Sequence, residues 1–287
     1  MVWHIFQTYT ILKFKIMCST CGCGETNKLE IKRPNGGISK EIKPMSLNYN
    51  YNHEGHTHSH GHNHSHSHHN NNGLIQLETD ILSTNNLLAE RNKKYFETKS
   101  IFTLNLVSSP GSGKTSVLER TLKDLRNEIK FSVIEGDQQT TNDADRINAT
   151  KAPVVQINTG QGCHLDSDMI NKAVKELNPE SNSILFIENV GNLVCPALFK
   201  LGEDIRVVII SVTEGDDKPL KYPDMFASSD ICIINKIDLL PYVDFDVEKV
   251  KKHANSVNHH LQFIELSARS GEGMEDWYEF LRNNIKK

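Results

Sequence analysis

Seven short runs rich in Val and Ile recur between residues 101 and 268, separated mostly by stretches of helical periodicity. The runs are IFTLNLVS (101–108), FSVIE (131–135), VVQIN (154–158), ILFIEN (184–189), IRVVIISV (205–212), ICIIN (231–235) and QFIELSA (262–268). Helical patterns are clearest at 115–127, 142–149, 167–177, 246–257 and 274–285. Strands that are apolar almost throughout, rather than alternating, belong to sheets buried on both faces, and the intervening helices supply the cover. The expected fold is α/β, a doubly wound, mostly parallel sheet whose ligands bind at the carboxyl ends of its strands. Just ahead of the first run, LIQLETDILSTNNLLAERNKKYFE spaces Ile81, Leu82, Asn85 and Leu88 as an amphipathic helix would.

Up to about Gly73 the character is different. Scattered charges, Pro34 and Pro44, NGG at 35–37 and NYNYN at 48–52 lead into HEGHTHSHGHNHSHSHH at 53–69. Such a segment buries too little apolar surface to offset the entropy of ordering it, so residues 1–73 are expected to be a disordered tail and 74–287 the globular part. Charge divides the same way. The tail has seven basic and four acidic residues, a net +3, which leaves −7 of the chain's −4 for the remainder. An acidic globular part argues against a nucleic-acid partner, which calls for a basic face. No apolar run approaches the roughly 18 residues of a membrane span. The opening MVWHIFQTYTILKFKI carries its lysines, Lys13 and Lys15, at its far end, opposite to a secretory signal. A cytoplasmic location follows, with the six cysteines reduced and available as metal ligands or core residues.

Directly after the first run comes SSPGSGKTS, Ser108 to Ser116. A glycine-rich turn between a strand and a helix aims successive backbone N–H groups at a phosphate, and the helix N-terminus adds partial positive charge. Gly111, Ser112, Gly113, Lys114, Thr115 and Ser116 are the expected cradle. In it Lys114 reaches the β- and γ-phosphates and Thr115 the Mg2+ ion of a P-loop. The usual pattern opens with Gly, where this chain has Ser108. Asn235, Lys236 and Asp238 close a later strand as Asn-Lys-Ile-Asp. A carboxylate there accepts two N–H bonds from guanine, which adenine lacks, so Asp238 is expected to read the base. Lys236 lays its stem over the ring, and Asn235 ties this loop to the cradle. LSARSGEG (266–273) places Ser267 and Ala268 where their backbone would meet the guanine oxygen. GTP and GDP are therefore favoured over adenine nucleotides. Magnesium requires carboxylates, and Asp137 and Glu188 end strands on the same side. Lys114, Asp137 and Glu188 are the candidate catalytic residues.

Cys163 and His164 adjoin in TGQGCHLDSDM, and Cys195 follows the Glu188 strand in ENVGNLVCP. Thiolates with imidazole suit nickel or zinc. Three donors leave a tetrahedral site one short, which a second protomer or water would supply. Cys232, inside ICIIN, is a core residue instead.

Taken together, SSPGSGKTS, EGDQQTTNDADRI, TGQGCHLD, ENVGNLVCPA, NKIDLLPY and SARSGEGM resemble the hydrogenase nickel-incorporation GTPase family, HypB, over roughly residues 78–285. The resemblance implies a P-loop GTPase that dimerises with GTP bound. It also implies a nickel or zinc site at the dimer interface, matching Cys163, His164 and Cys195, and treats Ser108 and Glu188 as family features. MCSTCGCG (17–24) resembles the family's amino-terminal nickel site, carried by Cys18, Cys21 and Cys23. That motif ordinarily follows an initiator Met, so Met17 is the expected start and 1–16 an extension. Implied partners are a small nickel-binding accessory protein and the hydrogenase large subunit. On a metal-delivery GTPase, the exposed imidazoles of His56, His58, His60, His62, His64, His66 and His68 would capture nickel weakly and buffer it. The alternatives are a urease-type nickel GTPase and a nickel-storage protein with a regulatory GTPase domain.

Overall fold

The computed structural model describes residues 29–32, 40–42, 72–138 and 142–285. In chain order these form β1 (Leu29–Lys32), β2 (Lys40–Ile42), α1 (Asn72–Thr98), β3 (Ile101–Ser108), α2 (Lys114–Leu125), β4 (Phe131–Asp137), α3 (Asn142–Ala149) and β5 (Val154–Asn158). There follow α4 (Ser167–Leu177), β6 (Ser183–Glu188), β7 (Ile205–Ser211), α5 (Lys218–Lys221), α6 (Pro223–Ala227), β8 (Ile231–Asn235), α7 (Val247–Val257), β9 (Gln262–Glu265) and α8 (Met274–Asn284). Short 3-10 turns occupy Cys195–Ala197 and Ile237–Tyr242.

The strands make one sheet in the order β2-β1-β5-β4-β6-β3-β7-β8-β9. From β5 to β9 every neighbouring pair is parallel. All seven expected strands and the five expected helices are present, with ends displaced by up to three residues. The order reverses at β3, the strand that enters the glycine-rich turn, so the cradle opens at a topological switch point.

Because successive strand residues face opposite sides, β3 supplies both layers. Leu104 and Leu106 join Val117, Leu118, Leu122, Trp277 and Leu281 under α2 and α8. Ile101 joins Phe96, Leu165 and Ile170 under α1 and α4. A third cluster on that side gathers Val208, Ile210, Cys232 and Val250. Cys232 is fully buried there, and burial pushes its thiol far above the ordinary range.

Two expectations need correction. Part of the segment 1–73 is ordered: β1 pairs antiparallel with β5, Ile31 opposite Ile157, and β2 pairs with β1. The cause is the open edge of β5, whose unpaired backbone groups accept a strand, while Ile31 buries its side chain in the core beneath. On α1 the buried stripe is Asn85, Ala89, Asn92 and Phe96, whereas Ile81 is 40% exposed. Periodicity alone put Ile81 inward. The helix instead seats two asparagines that hydrogen-bond loop backbone. Asn85 Nδ2 donates to the Lys200 carbonyl and Asn92 Nδ2 to those of Ser167 and Leu201. Cys18, Cys21, Cys23 and the histidines from His56 to His68 lie outside the described residues.

Candidate nucleotide and metal site

The turn after β3 has the backbone its glycines were expected to allow. Gly111 and Gly113 have φ of +82° and +93°, values that burden any residue with a Cβ. They differ in surroundings: a Cβ on Gly111 meets nothing within 4 Å, but one on Gly113 collides with the Asn235 amide. Gly111→Ala should therefore cost about 1–2 kcal/mol of backbone strain. Gly113→Ala should cost roughly 3 kcal/mol or more, since it also displaces Asn235. Urea denaturation of the two variants side by side measures the difference; equal losses would show that Asn235 does not press on the cradle.

Asn235 joins the cradle to the base-reading loop. Its Nδ2 donates to the Ser112 carbonyl at 2.9 Å, and its Oδ1 accepts from Ala268 N at 3.2 Å. Lys236 lies over the same turn, with Nζ donating to the Gly111 carbonyl at 2.7 Å. Ser267 is fully buried, its hydroxyl accepting from Ser270 N, and so fixes the Ser267-Ala268 corner. Asp238 keeps one buried carboxylate oxygen, Oδ1, with no hydrogen-bond partner. A buried acceptor left empty is costly, and a guanine edge would satisfy it. Ser112 is buried and hydrogen-bonds Ser109, while Ser116 accepts from Arg146 on α3.

At the floor of the cradle Glu188 Oε1 accepts from Lys114 Nζ at 2.7 Å and from Thr115 Oγ1 at 2.5 Å. The groups expected to hold phosphate and magnesium thus hold each other. Next to Glu188 on β4 lies Glu135, its register partner, which the sequence reading passed over. Gly136 abuts Leu165 on one face, so Glu135 and Asp137 face the other, toward α2. Glu135 Oε2 and Glu188 Oε2 are both buried without a partner. Burial and the neighbouring Glu188 charge raise the Glu135 carboxyl to about 9. Its only mark in the sequence is a charged residue closing the apolar run FSVIE. A hard divalent cation suits this donor set of Thr115, Asp137 and Glu188.

Some residues further along the same edge, Cys163, His164 and Cys195 present one ligand atom each, all within 4.8 Å of one another. Cys163 Sγ stands 3.7 Å from His164 Nδ1. The His164 ring stacks on Phe199 with centroids 4.0 Å apart, which fixes its plane. The hydrogen bond from Cys163, with help from His164, lowers the Cys195 thiol to about 5 despite its burial, which favours the thiolate form that ligates metal. A tetrahedral ion with metal–sulfur bonds of about 2.3 Å sets donors about 3.8 Å apart, so small movements would close the cluster on one ion.

Three connections join the two sites. Glu188 and Cys195 end one short strip, Glu188-Asn189-Val190-Gly191-Asn192-Leu193-Val194-Cys195. Within it the fully buried Asn189 accepts from Leu165 N at 3.2 Å, two residues beyond Cys163. Thr159, opening the Cys163 turn, donates its N–H to the Asp137 carbonyl at 2.9 Å. A Cβ on Gly136 would lie 2.9 Å from the Leu165 side chain.

Known proteins are similar to this chain in sequence and fold. The family description "CobW/HypB/UreG, nucleotide-binding domain" matches residues 102–265. The hydrogenase maturation factor HypB of Rhizobium leguminosarum bv. viciae is 60% identical, over 72% of this chain and 70% of that protein. HypB of Escherichia coli strain K12 is 56% identical over 72% of each. The crystal structure of HypB from Helicobacter pylori in complex with nickel superimposes with a TM-score of 0.65 at 39% identity, covering 71% of this chain and 98% of that one. The chain belongs to the CobW/HypB/UreG nucleotide-binding family and, within it, to the HypB hydrogenase maturation factors.

Proposed function

We propose that this chain is a GTP-hydrolysing nickel carrier that serves the maturation of [NiFe] hydrogenase, working in the cytoplasm. One observation carries the reading: a nucleotide cradle and a soft-donor cluster occupy the two ends of the strip from Glu188 to Cys195. GTP is the substrate, with Asp238 on the guanine edge and Gly111 to Ser116 around the phosphates. Magnesium, held by Thr115, Asp137 and Glu188, would neutralise charge on the β- and γ-oxygens.

The chain's own residues supply the switch. Lys114 is paired with Glu188. A phosphate draws Lys114 away, since a dianionic oxygen set outcompetes one carboxylate for the ammonium. Glu188 is then released, and Asn189 beside it transmits the shift to the backbone at Leu165. Cys163, His164 and Cys195 hold nickel, or zinc at rest, in one arrangement and yield it in the other. A second protomer would complete a three-donor site, in line with a GTP-dependent homodimer. The recipients are a small nickel-binding accessory protein and, beyond it, the hydrogenase large subunit. Cys18, Cys21, Cys23 and the histidine tract from His56 to His68 gather the cargo.

The test is nickel affinity of the whole chain and of Cys163→Ala, each with GDP and with a non-hydrolysable GTP analogue. The unmodified chain should differ by about tenfold between nucleotides, a coupling of about 1.4 kcal/mol. The variant should show no difference. Equal affinities in the unmodified chain would leave the nucleotide nothing to shift, and the storage reading would take over.

A further inference from the structure

Two carboxylates, not one, are buried behind the cradle lysine. Glu188 is fully buried and Glu135 is 2% exposed, and each has an oxygen without a partner. They are opposite each other on neighbouring parallel strands, with β6 next to β3 and β4 one place further out. Glu188 therefore stands between Glu135 and the pair Lys114 and Thr115.

This pair gains nothing for the fold. A buried acidic side chain with an unpartnered oxygen is less favourable for folding than an apolar side chain of the same volume. The unpartnered oxygens point to what the pair is for. Lys114 bonds Glu188, and its ammonium is the positive charge next to both acids. Once phosphate draws Lys114 away, the buried Glu188 and Glu135 side chains face the cradle together, each with an oxygen that lacks a partner. A divalent cation at Thr115 offsets the Glu188 charge, and its bound waters bring the donors that the empty oxygens lack.

We infer that Glu135 is a positioning residue for magnesium, accepting hydrogen bonds from the water shell of the ion that Thr115 and Glu188 hold. This rests on the magnesium–GTP reading above. It gives Glu135 a role in metal affinity rather than in contact with phosphate, because Glu188 lies between it and the cradle. It also explains why Gly136 is followed by a second acid, Asp137. β4 presents Glu135 and Asp137 on the same face, two residues apart, with the glycine turned to Leu165.

The measurement is magnesium titration of the full chain holding a fluorescent GDP, compared with Glu135→Gln, alongside GDP affinity in EDTA. Glu135→Gln should need about tenfold more magnesium for the half-maximal response, with its EDTA affinity for GDP unchanged. Glu135→Met, similar in volume and without polar atoms, should give the same shift and folds independently of any new hydrogen bond from Gln. Identical magnesium midpoints in all three proteins would overturn the inference. So would an equal loss of GDP affinity in EDTA, which marks a structural role only. An unmodified chain indifferent to magnesium would instead overturn the magnesium–GTP reading itself.

Discussion

Asp238→Asn is expected to lower GDP and GTP affinity by about 100-fold, roughly 3 kcal/mol, and to raise affinity for xanthine nucleotides. Asp238 keeps a buried oxygen without a partner, and a carboxylate offers only acceptors, which matches the two N–H donors of guanine. The amide of Asn replaces one acceptor with a donor, so it points N–H at the guanine amino group. Xanthine carries an oxygen there and accepts that bond. The substitution is nearly isosteric, and Asn235 still bridges Ser112 and Ala268, so the loop should survive it. Competition of GDP and XDP against a fluorescent guanine nucleotide reads the preference directly. Unaltered GDP affinity would remove Asp238 from the base site.

The second large effect is a pair of opposed pH dependences in the nucleotide-free, metal-free protein. Glu135 titrates at about 9 in the fold against an ordinary 4.5, first because of burial and then because of Glu188. The folded state thus holds a proton that the unfolded chain has released. Glu135 therefore subtracts stability progressively from about pH 4.5 to about pH 9, at up to about 1.4 kcal/mol per pH unit. Cys195 runs the other way. Its thiol falls from 9.0 to about 5 through Cys163 first and His164 next. Its contribution is present above pH 9 and is lost as pH falls through about 5. Over the shared window the two slopes offset each other in the unmodified chain. Glu135→Gln should make stability climb with pH from 5 to 9, and Cys195→Ser should make it decline. Urea midpoints of the three proteins at pH 5.5, 7 and 8.5 in EDTA check this. Parallel profiles would show that neither environment survives in solution.

Much of this architecture is legible in the sequence. Long apolar strands broken by helices leave few arrangements other than a doubly wound sheet, and SSPGSGKTS marks where its order reverses. Asn235 and Asp238 were recognisable because their chemistry depends on local order, Asn-Lys-Ile-Asp at a strand end. Cys163, His164 and Cys195 announced themselves by residue type, and their meeting follows from β5 and β6 ending at the same edge. What sequence did not disclose depends on tertiary neighbours. Glu135 looked like the last residue of an apolar strand, because nothing local says that β4 sets it beside Glu188. Asn85 and Asn92 broke the apolar stripe of α1, and only the Lys200, Leu201 and Ser167 carbonyls explain them. LEIK is too short to stand out from its polar surroundings, and it becomes a strand because β5 has an edge to fill.

Gly136 and Leu165 touch so closely that a single added carbon would not fit between them. The strand that carries Glu135 and Asp137 therefore cannot move toward the loop after Cys163 without displacing it. Such a contact has no preferred direction. If GTP alters nickel affinity by some factor, nickel must alter GTP affinity by the same factor. The cargo is then an effector in its own right. Under the proposed coupling, nickel-loaded and nickel-free protein would differ in which nucleotide they retain, and the supply of metal would set the pace of the cycle from the opposite end.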